Sequence, residues 1–406
     1  MRRMAITLAV LCIGIGSARA QAPEDGPPVL GPVREPGPLA SFLRTPSGPV
    51  LPSDGRFWIA GDYLVAFLRG TNLPALVTTS EPGTTKLNAG VIGLGSTSTL
   101  FGPGWVNDDI RSGVRLQTGY WFNSSQTLGI EAGFMVIEGQ SASFVGNSDA
   151  FPILARPFFN TETGVQGSHV IAFPGFSNGS IDIRVVSANF WETHVDLSEK
   201  AIDTGWFRLY SLFGYRYFRY DEYLRATEII NPTNRNFIAG TQIVSTDNFN
   251  TRNEFHGIDL GFRSQFIWDR LTIDVLTKLA VGRINRSIDI NGQQTISTPG
   301  FGTITRDAGV LALGSNSGLS SSGDWKVLPE AGVNLNWQVG SNLNMRFGYT
   351  FMLLNGIARV VDKVDTTINP NFFPGGSSAG VVRPANNNVR SDMWIQSLNV
   401  GLIWTY

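Results

Sequence analysis

The chain has 406 residues, with 31 Lys and Arg against 32 Asp and Glu, a mean hydropathy of +0.01, 46 glycines and one cysteine. That balance argues against a nucleic-acid binder, which would carry a basic excess, and a lone cysteine offers no disulfide or cysteine metal site. After the first twenty residues no apolar run reaches the roughly 20 that a spanning helix needs, so a membrane protein of this composition crosses with strands closed into a barrel.

Met1, Arg2 and Arg3 precede an apolar stretch from Ala5 to Gly16, and Ala18-Arg19-Ala20 supplies small residues before Gln21. Residues 1–20 therefore read as a secretory signal peptide, with Cys12 inside its apolar core. Removing Arg2, Arg3 and Arg19 leaves 28 basic against 32 acidic residues, a net charge of −4 for the exported chain. Residues 21–55 are dense in proline and glycine, which denies the backbone donors that a helix or sheet interior needs. They read as a flexible periplasmic arm, with a peptidoglycan or cell-surface contact as a second expectation.

From residue 56 to 406 ten segments alternate between an apolar and a polar side, the period-two pattern of a sheet whose faces meet different solvents. Phe57, Ile59, Tyr63, Val65 and Phe67 oppose Asp62 in the first; Val114, Leu116, Tyr120 and Phe122 oppose Arg115 in the second; Leu128, Ile130, Phe134 and Val136 oppose Glu131 in the third. The fourth is read from Val185, Ser187, Asn189 and Trp191 to Leu197, opposite Glu192, His194 and Asp196. The fifth sets Phe207, Leu209, Phe213, Tyr215 and Tyr217 against Arg208 and Arg216, and the sixth sets Ile258, Leu260, Phe262, Phe266 and Trp268 against Asp259 and Arg263. Leu271, Ile273, Val275, Leu279 and Val281 oppose Asp274 and Lys278; Val333, Leu335 and Trp337 oppose Glu330; Leu343 to Leu353 alternate around Arg346. The tenth, Trp394 to Tyr406, carries Leu398, Val400, Leu402, Trp404 and Tyr406 against Ser397, Asn399, Gly401 and Thr405.

A soluble sandwich or lipocalin-like barrel would also alternate. Two features favour the membrane. Short connections follow the even-numbered segments and long ones follow the odd-numbered segments, as periplasmic turns and extracellular loops do. Trp58, Trp121, Trp206, Trp268, Trp337 and Trp404 gather at the turn ends or termini, where an aromatic girdle belongs. The reading is an all-β, antiparallel up-and-down transmembrane β-barrel of about ten strands, twelve being the alternative, with long extracellular loops and short periplasmic turns. A two-residue turn at Asp269-Arg270 would pair Trp268 with Leu271 and set Arg263 diagonal to Asp274 and Asp259 diagonal to Lys278, within reach of ion pairs.

The stretches Gly214-Tyr-Arg-Tyr-Phe-Arg-Tyr-Asp-Glu222, Asn250-Thr-Arg-Asn-Glu-Phe-His-Gly257, Pro329-Glu-Ala-Gly-Val-Asn-Leu-Asn-Trp337 and Phe347-Gly-Tyr-Thr-Phe351 resemble the planctomycete outer-membrane β-barrel family, the seventh barrel family named in that phylum. The resemblance implies an outer-membrane location and brings no established substrate or reaction. Asp259 stands where a neutral glutamine is expected in that family.

The lumen-lining candidates are Asp62, Arg115, Glu131, Arg208, Arg216, Asp259, Arg263, Asp274, Lys278, Glu330 and Arg346, and the assembly signal is Leu402, Trp404 and Tyr406. Ten strands lie near the filled end of the size range, since eight leave only room for side chains and open porins use sixteen or more. The leading expectation is a structural barrel or a narrow, porin-like passage for small polar solutes. The alternative is a surface for adhesion or partner contact built from the long loops, whose Phe158, Phe159, Phe173, Phe176, Phe372 and Phe373 would pack them together or anchor a ligand. An outer-membrane protease or lipid-modifying enzyme ranks lower: His169, His194 and His256 are the only histidines, and no zinc spacing, phosphate loop or nucleophile elbow accompanies them. No enzyme activity, catalytic residue, cofactor or metal is expected. The expected partners are outer-membrane lipid and the barrel assembly machinery.

Overall fold

The computed structural model describes residues 55–406. The signal peptide and nearly all of the arm lie outside the described residues.

Ten strands form the barrel: β1 (Phe57–Leu68), β2 (Arg111–Trp121), β3 (Leu128–Ile137), β4 (Phe190–Asp203), β5 (Phe207–Pro232), β6 (Gln242–Trp268), β7 (Leu271–Thr298), β8 (Gly318–Gln338), β9 (Leu343–Ile357) and β10 (Ser391–Thr405). Each pairs antiparallel with its neighbour in sequence, and β1 pairs with β10 from Trp58↔Thr405 to Leu68↔Ile395, which closes the ring and removes both edges. The β6–β7 register runs unbroken from Trp268↔Leu271 to Gln242↔Ser297, as the Asp269-Arg270 turn requires.

Near the short turns the alternation sorts by solvent. Phe213, Ile258, Leu260 and Phe262 project outward and are about half exposed, while Arg216 and Asp259 on the opposite parity are buried. An apolar exterior with charges confined to the interior is what a hydrocarbon surround selects. Trp206, Trp268, Trp337 and Trp404 stand on the outer face of this end, whereas Trp58 and Trp121 turn inward at the mouth. The girdle is therefore narrower than the tryptophan positions alone suggest.

Two sequence expectations change. Strand β4 begins at Phe190, not Val185: Val185 and Ser187 belong to a separate strand, Ser177–Ser187, and both are buried. The chain breaks at Ala188-Asn189, where the Asn189 side-chain oxygen accepts from the Gly139 amide at 2.7 Å. From Trp191 to Leu197 the expected parity holds.

The second change concerns the long connections. Those after the fifth and seventh segments are mostly strand, because β5, β6 and β7 run for 26, 27 and 28 residues. At about 3.3 Å per residue that is roughly 90 Å of strand, against a hydrocarbon core of roughly 30 Å. Their outer halves, with Ser177–Ser187 and Gln140–Asn147 added beside β5, form a wall rising beyond the bilayer. Inside it sits a smaller sheet of Val77–Ser80, Thr97–Phe101, Leu154–Asn160, Val165–Ala172 and Thr367–Ile368. Leu154, Phe158, Ile183, Leu224, Phe249, Ile290, Leu313 and Ile368 pack there as one apolar core, with Phe372 and Phe373 against it. Of the six loop phenylalanines, Phe158, Phe372 and Phe373 thus pack the cap while Phe159 is exposed, and Phe158 and Phe373 meet edge-on at 6.0 Å between centroids.

Candidate functional site: the barrel interior

All eleven lumen candidates project inward, and the structure joins ten of them into three ion-pair groups, with Arg208 apart at the mouth. Arg115 donates through Nε to Asp62 at 2.9 Å, and Arg346 reaches the same carboxylate at 3.4 Å and Gln117 at 2.7 Å. Arg263 grips Glu131 with two hydrogen bonds, 2.6 and 2.8 Å, and stands 3.7 Å from Asp274. A paired fork of this kind fixes both partners more tightly than a single contact. Lys278 pairs with Asp196 and, at 3.2 Å, with Asp259. Arg216 is surrounded by three carboxylates: Asp259 at 2.8 Å, Glu330 at 2.5 Å and Glu192 at 3.6 Å. Arg208 stands at the mouth, 3.3 Å from Asp203.

Two inward-facing glycines leave room for this crowding. A Cβ on Gly401 would fall 2.2 Å from Asp62 Oδ1, and one on Gly214 would fall 2.1 Å from Asp196 Oδ1.

The expected Arg263–Asp274 and Asp259–Lys278 contacts both form, yet the tightest partner of Arg263 is Glu131, across the lumen. Glu192 and Asp196, noted in sequence only as neighbours of His194, prove to be full members of the network. His194 Nδ1 lies 3.0 Å from Glu192 Oε1 and Nε2 lies 4.0 Å from Asp196. His256 faces outward and shares a hydrogen bond with the Tyr215 hydroxyl, 2.6 Å. In the cap, His169 Nε2 is 2.7 Å from Glu228. Burial alone would lower its pKa, but Glu228 outweighs that and raises it.

Above the ion pairs the lumen is filled. Leu64, Leu68, Ile137, Phe190, Phe218, Phe255, Ile284, Leu354 and Met393, from strands around the whole ring, form one apolar layer in which each is at most 1% exposed. Phe218 and Phe255 stack with centroids 5.4 Å apart.

A buried polar belt follows, which sequence reasoning missed. Glu222 accepts from Arg359 Nε at 2.8 Å, from the Val360 amide at 2.9 Å and from the Tyr220 hydroxyl at 2.8 Å. Asn253 exchanges two hydrogen bonds with the Ala358 backbone, 2.7 and 2.9 Å. These contacts hold the start of the β9–β10 connection inside the barrel. Its only sequence signal is the pairing of inward-parity Glu222 and Asn253 with a basic residue just past a strand end.

At the opposite end a polar cavity opens between the turns, bordered by Gly55, Trp58, Trp121, Gln126 and Thr405 and floored by Met135 and Leu276. Ile403 and Thr405 of β10 line one side of it, while Ser397 and Asn399, deeper on the same strand, are buried.

A closed antiparallel ring with an apolar exterior, a charged interior and short turns at one end defines an integral membrane β-barrel of the outer-membrane type. Residues 58–406 match the family described as "Putative beta barrel porin-7 (BBP7)", and the chain belongs to that family. The family points to the outer membrane.

Among solved structures the chain is similar to the outer membrane protease OmpT from Escherichia coli at 9% identity, covering 86% of this chain and 97% of that one with a TM-score of 0.39. It is also similar to Ail, the attachment invasion locus protein of Yersinia pestis, at 9% identity over 87% and 99% of the two chains with a TM-score of 0.20. A FadL homologue from Pseudomonas aeruginosa gives 7% identity, 86% and 90% coverage and a TM-score of 0.23. No curated protein matches the sequence.

Proposed function

We propose that this protein is a closed outer-membrane barrel that carries a β-structured cap on the cell surface, a scaffold without catalytic chemistry of its own. The reading rests on the apolar layer: a small polar solute crossing it would shed its hydration among side chains packed like a domain interior, with no hydrogen-bonding partner in return. Ten strands give a diameter that side chains fill, so nothing in the geometry demands a channel. The ion pairs beneath are then structural, keeping charge satisfied in a water-poor interior. Outer-membrane lipid surrounds the apolar band, and Leu402, Trp404 and Tyr406, all outward-facing and about half exposed or more, present the terminal pattern that the barrel assembly machinery would read.

Planar-bilayer recording on the purified chain tests this. Silence after insertion has been verified by protease protection is the expected result. A steady current that scales with salt would overturn the scaffold reading in favour of a passage for small polar solutes. A second role, contact with a surface partner, draws support from the cap's exposed apolar side chains, with Val145 72%, Leu319 73% and Phe301 80% exposed.

A further inference from the structure

The interior as a whole is close to neutral, with Asp62, Glu131, Glu192, Asp196, Asp259, Asp274 and Glu330 against Arg115, Arg208, Arg216, Arg263, Lys278 and Arg346. The surface it turns toward the periplasmic cavity is not. Five of the lining residues are cationic (Arg115, Arg208, Arg263, Lys278 and Arg346), and three are carboxylates (Glu192, Asp274 and Glu330). The missing acids, Asp62, Glu131, Asp196 and Asp259, sit behind the bases and are 5% exposed or less. Arg208, Arg263 and Arg346, with side chains 27%, 15% and 11% exposed, therefore present guanidinium groups to the cavity, while Lys278 is as buried as those acids.

The mouth adds a second kind of chemistry. Trp58 and Trp121 are the two girdle-level tryptophans that turn away from lipid, and Trp121 lies 5.6 Å from the Tyr210 ring. Tyr210 is 4% exposed and lines the cavity, and its hydroxyl makes no hydrogen bond among the described residues. Asn336, Asn344 and Gln265 supply amides to the same walls. Aromatic faces with amides and a guanidinium suit a ring that is apolar on one face, hydroxylated at its rim and negatively charged at one substituent.

We infer that this cavity is a periplasm-facing binding site for an acidic saccharide, its ring stacked on Trp121 beside the Tyr210 hydroxyl and its carboxylate drawn to Arg208 and Arg346. The inference builds on the proposed closed barrel, whose apolar layer makes the cavity blind at its outer end.

Isothermal titration of the full chain in detergent, with N-acetylmuramic acid as the probe and N-acetylglucosamine as its neutral counterpart, tests it. The acid should bind saturably and at least about tenfold more tightly than the neutral sugar. Arg208→Gln and Trp121→Ala should each weaken it by about tenfold and Tyr210→Phe by severalfold, with the heat-modifiable gel mobility of the folded barrel unchanged. Absence of saturable heat at millimolar acid, equal binding of the neutral sugar, or unchanged binding in Arg208→Gln would each overturn the site. A barrel that conducts in the bilayer yet binds the acid would refute the scaffold and leave the site standing; a silent barrel that fails to bind would do the reverse.

Discussion

The same strands build two regions that follow opposite rules. Along the lower half of β5, outward positions include Phe207, Leu209, Phe213 and Tyr215, and inward positions include Arg208 and Arg216; above Tyr217 the outward positions include Arg219, Asp221 and Arg225 beside Tyr223, and the inward ones include Phe218, Tyr220, Leu224, Ala226 and Ile230 beside Glu222 and Glu228. On β6 the outward row passes from Ile258, Leu260 and Phe262 to His256, Glu254 and Arg252, while Phe255 and Phe249 turn inward. The pleat is continuous and the register unbroken, so only the surroundings have changed. In lipid the apolar face must point out and the charges hide; in water the apolar face turns in and makes a core of ordinary kind. One alternating strand serves both because its two faces are chemically independent.

This contrast predicts where damage is greatest. Arg216, 1% exposed, is the shared cation of Asp259, Glu330 and Glu192 in the confined interior. Arg216→Met should cost about 3 to 5 kcal/mol, the usual penalty for stranding a buried charge partner, read as a lowered urea midpoint in lipid vesicles. A loss below about 1 kcal/mol would mean that water reaches these carboxylates freely.

A matched pair of arginines tests the inversion itself. Phe262→Arg, on the outer face within the apolar band, should destabilise by about 2 to 4 kcal/mol, as a cation does near mid-bilayer. Leu319→Arg, also outward but on the upper part of β8 and 73% exposed, should change stability by less than about 0.5 kcal/mol. Equal penalties at the two positions would place the lipid boundary elsewhere.

The seal between the regions comes next. Arg359→Met removes the cation that Glu222 holds at 2.8 Å and should cost about 1.5 to 3 kcal/mol, the range for a hydrogen bond to a charged group. Limited proteolysis should cut the 358–390 connection faster in this variant, and an unchanged cleavage rate would show that Asn253 and the apolar contacts of Ala358 and Val360 suffice alone.

What the sequence made legible follows the same division. The lower barrel could be read because its alternation places apolar residues where lipid requires them, and the β6–β7 pairing followed from a two-residue turn. The upper wall was hidden although its alternation is just as regular: from Phe218 to Ile230 the apolar parity switches sides, so continuing the lipid-facing parity past Tyr217 lands on Arg219 and Asp221 and suggests a loop. Contacts across the lumen, such as Arg263 with Glu131, depend on barrel diameter and shear, which local pattern does not encode. The plug contacts of Arg359 depend on a connection folding back, and nothing in its Asn- and Pro-rich sequence sets that path.

The smallest expected effect lies in the cap, where His169 meets Glu228 at 2.7 Å and Arg156 pairs with Asp247 at 2.6 Å beside them. Glu228 is fully buried, so it gains from a protonated imidazole more than solvent would offer. The folded pKa of His169 is accordingly raised above its ordinary 6.5, despite the opposing effect of burial. A raised folded value means that the pair's contribution is fully present below about pH 6.5 and is lost as pH climbs through the folded value. Amide exchange along Val165–Ala172 should therefore accelerate between about pH 6 and pH 9 beyond the intrinsic base-catalysed rise, and His169→Gln should remove that excess while leaving the barrel strands unchanged. Should the wild-type chain show no excess, the imidazole is neutral in the folded cap and Glu228 is held by Arg156, 3.7 Å away, alone.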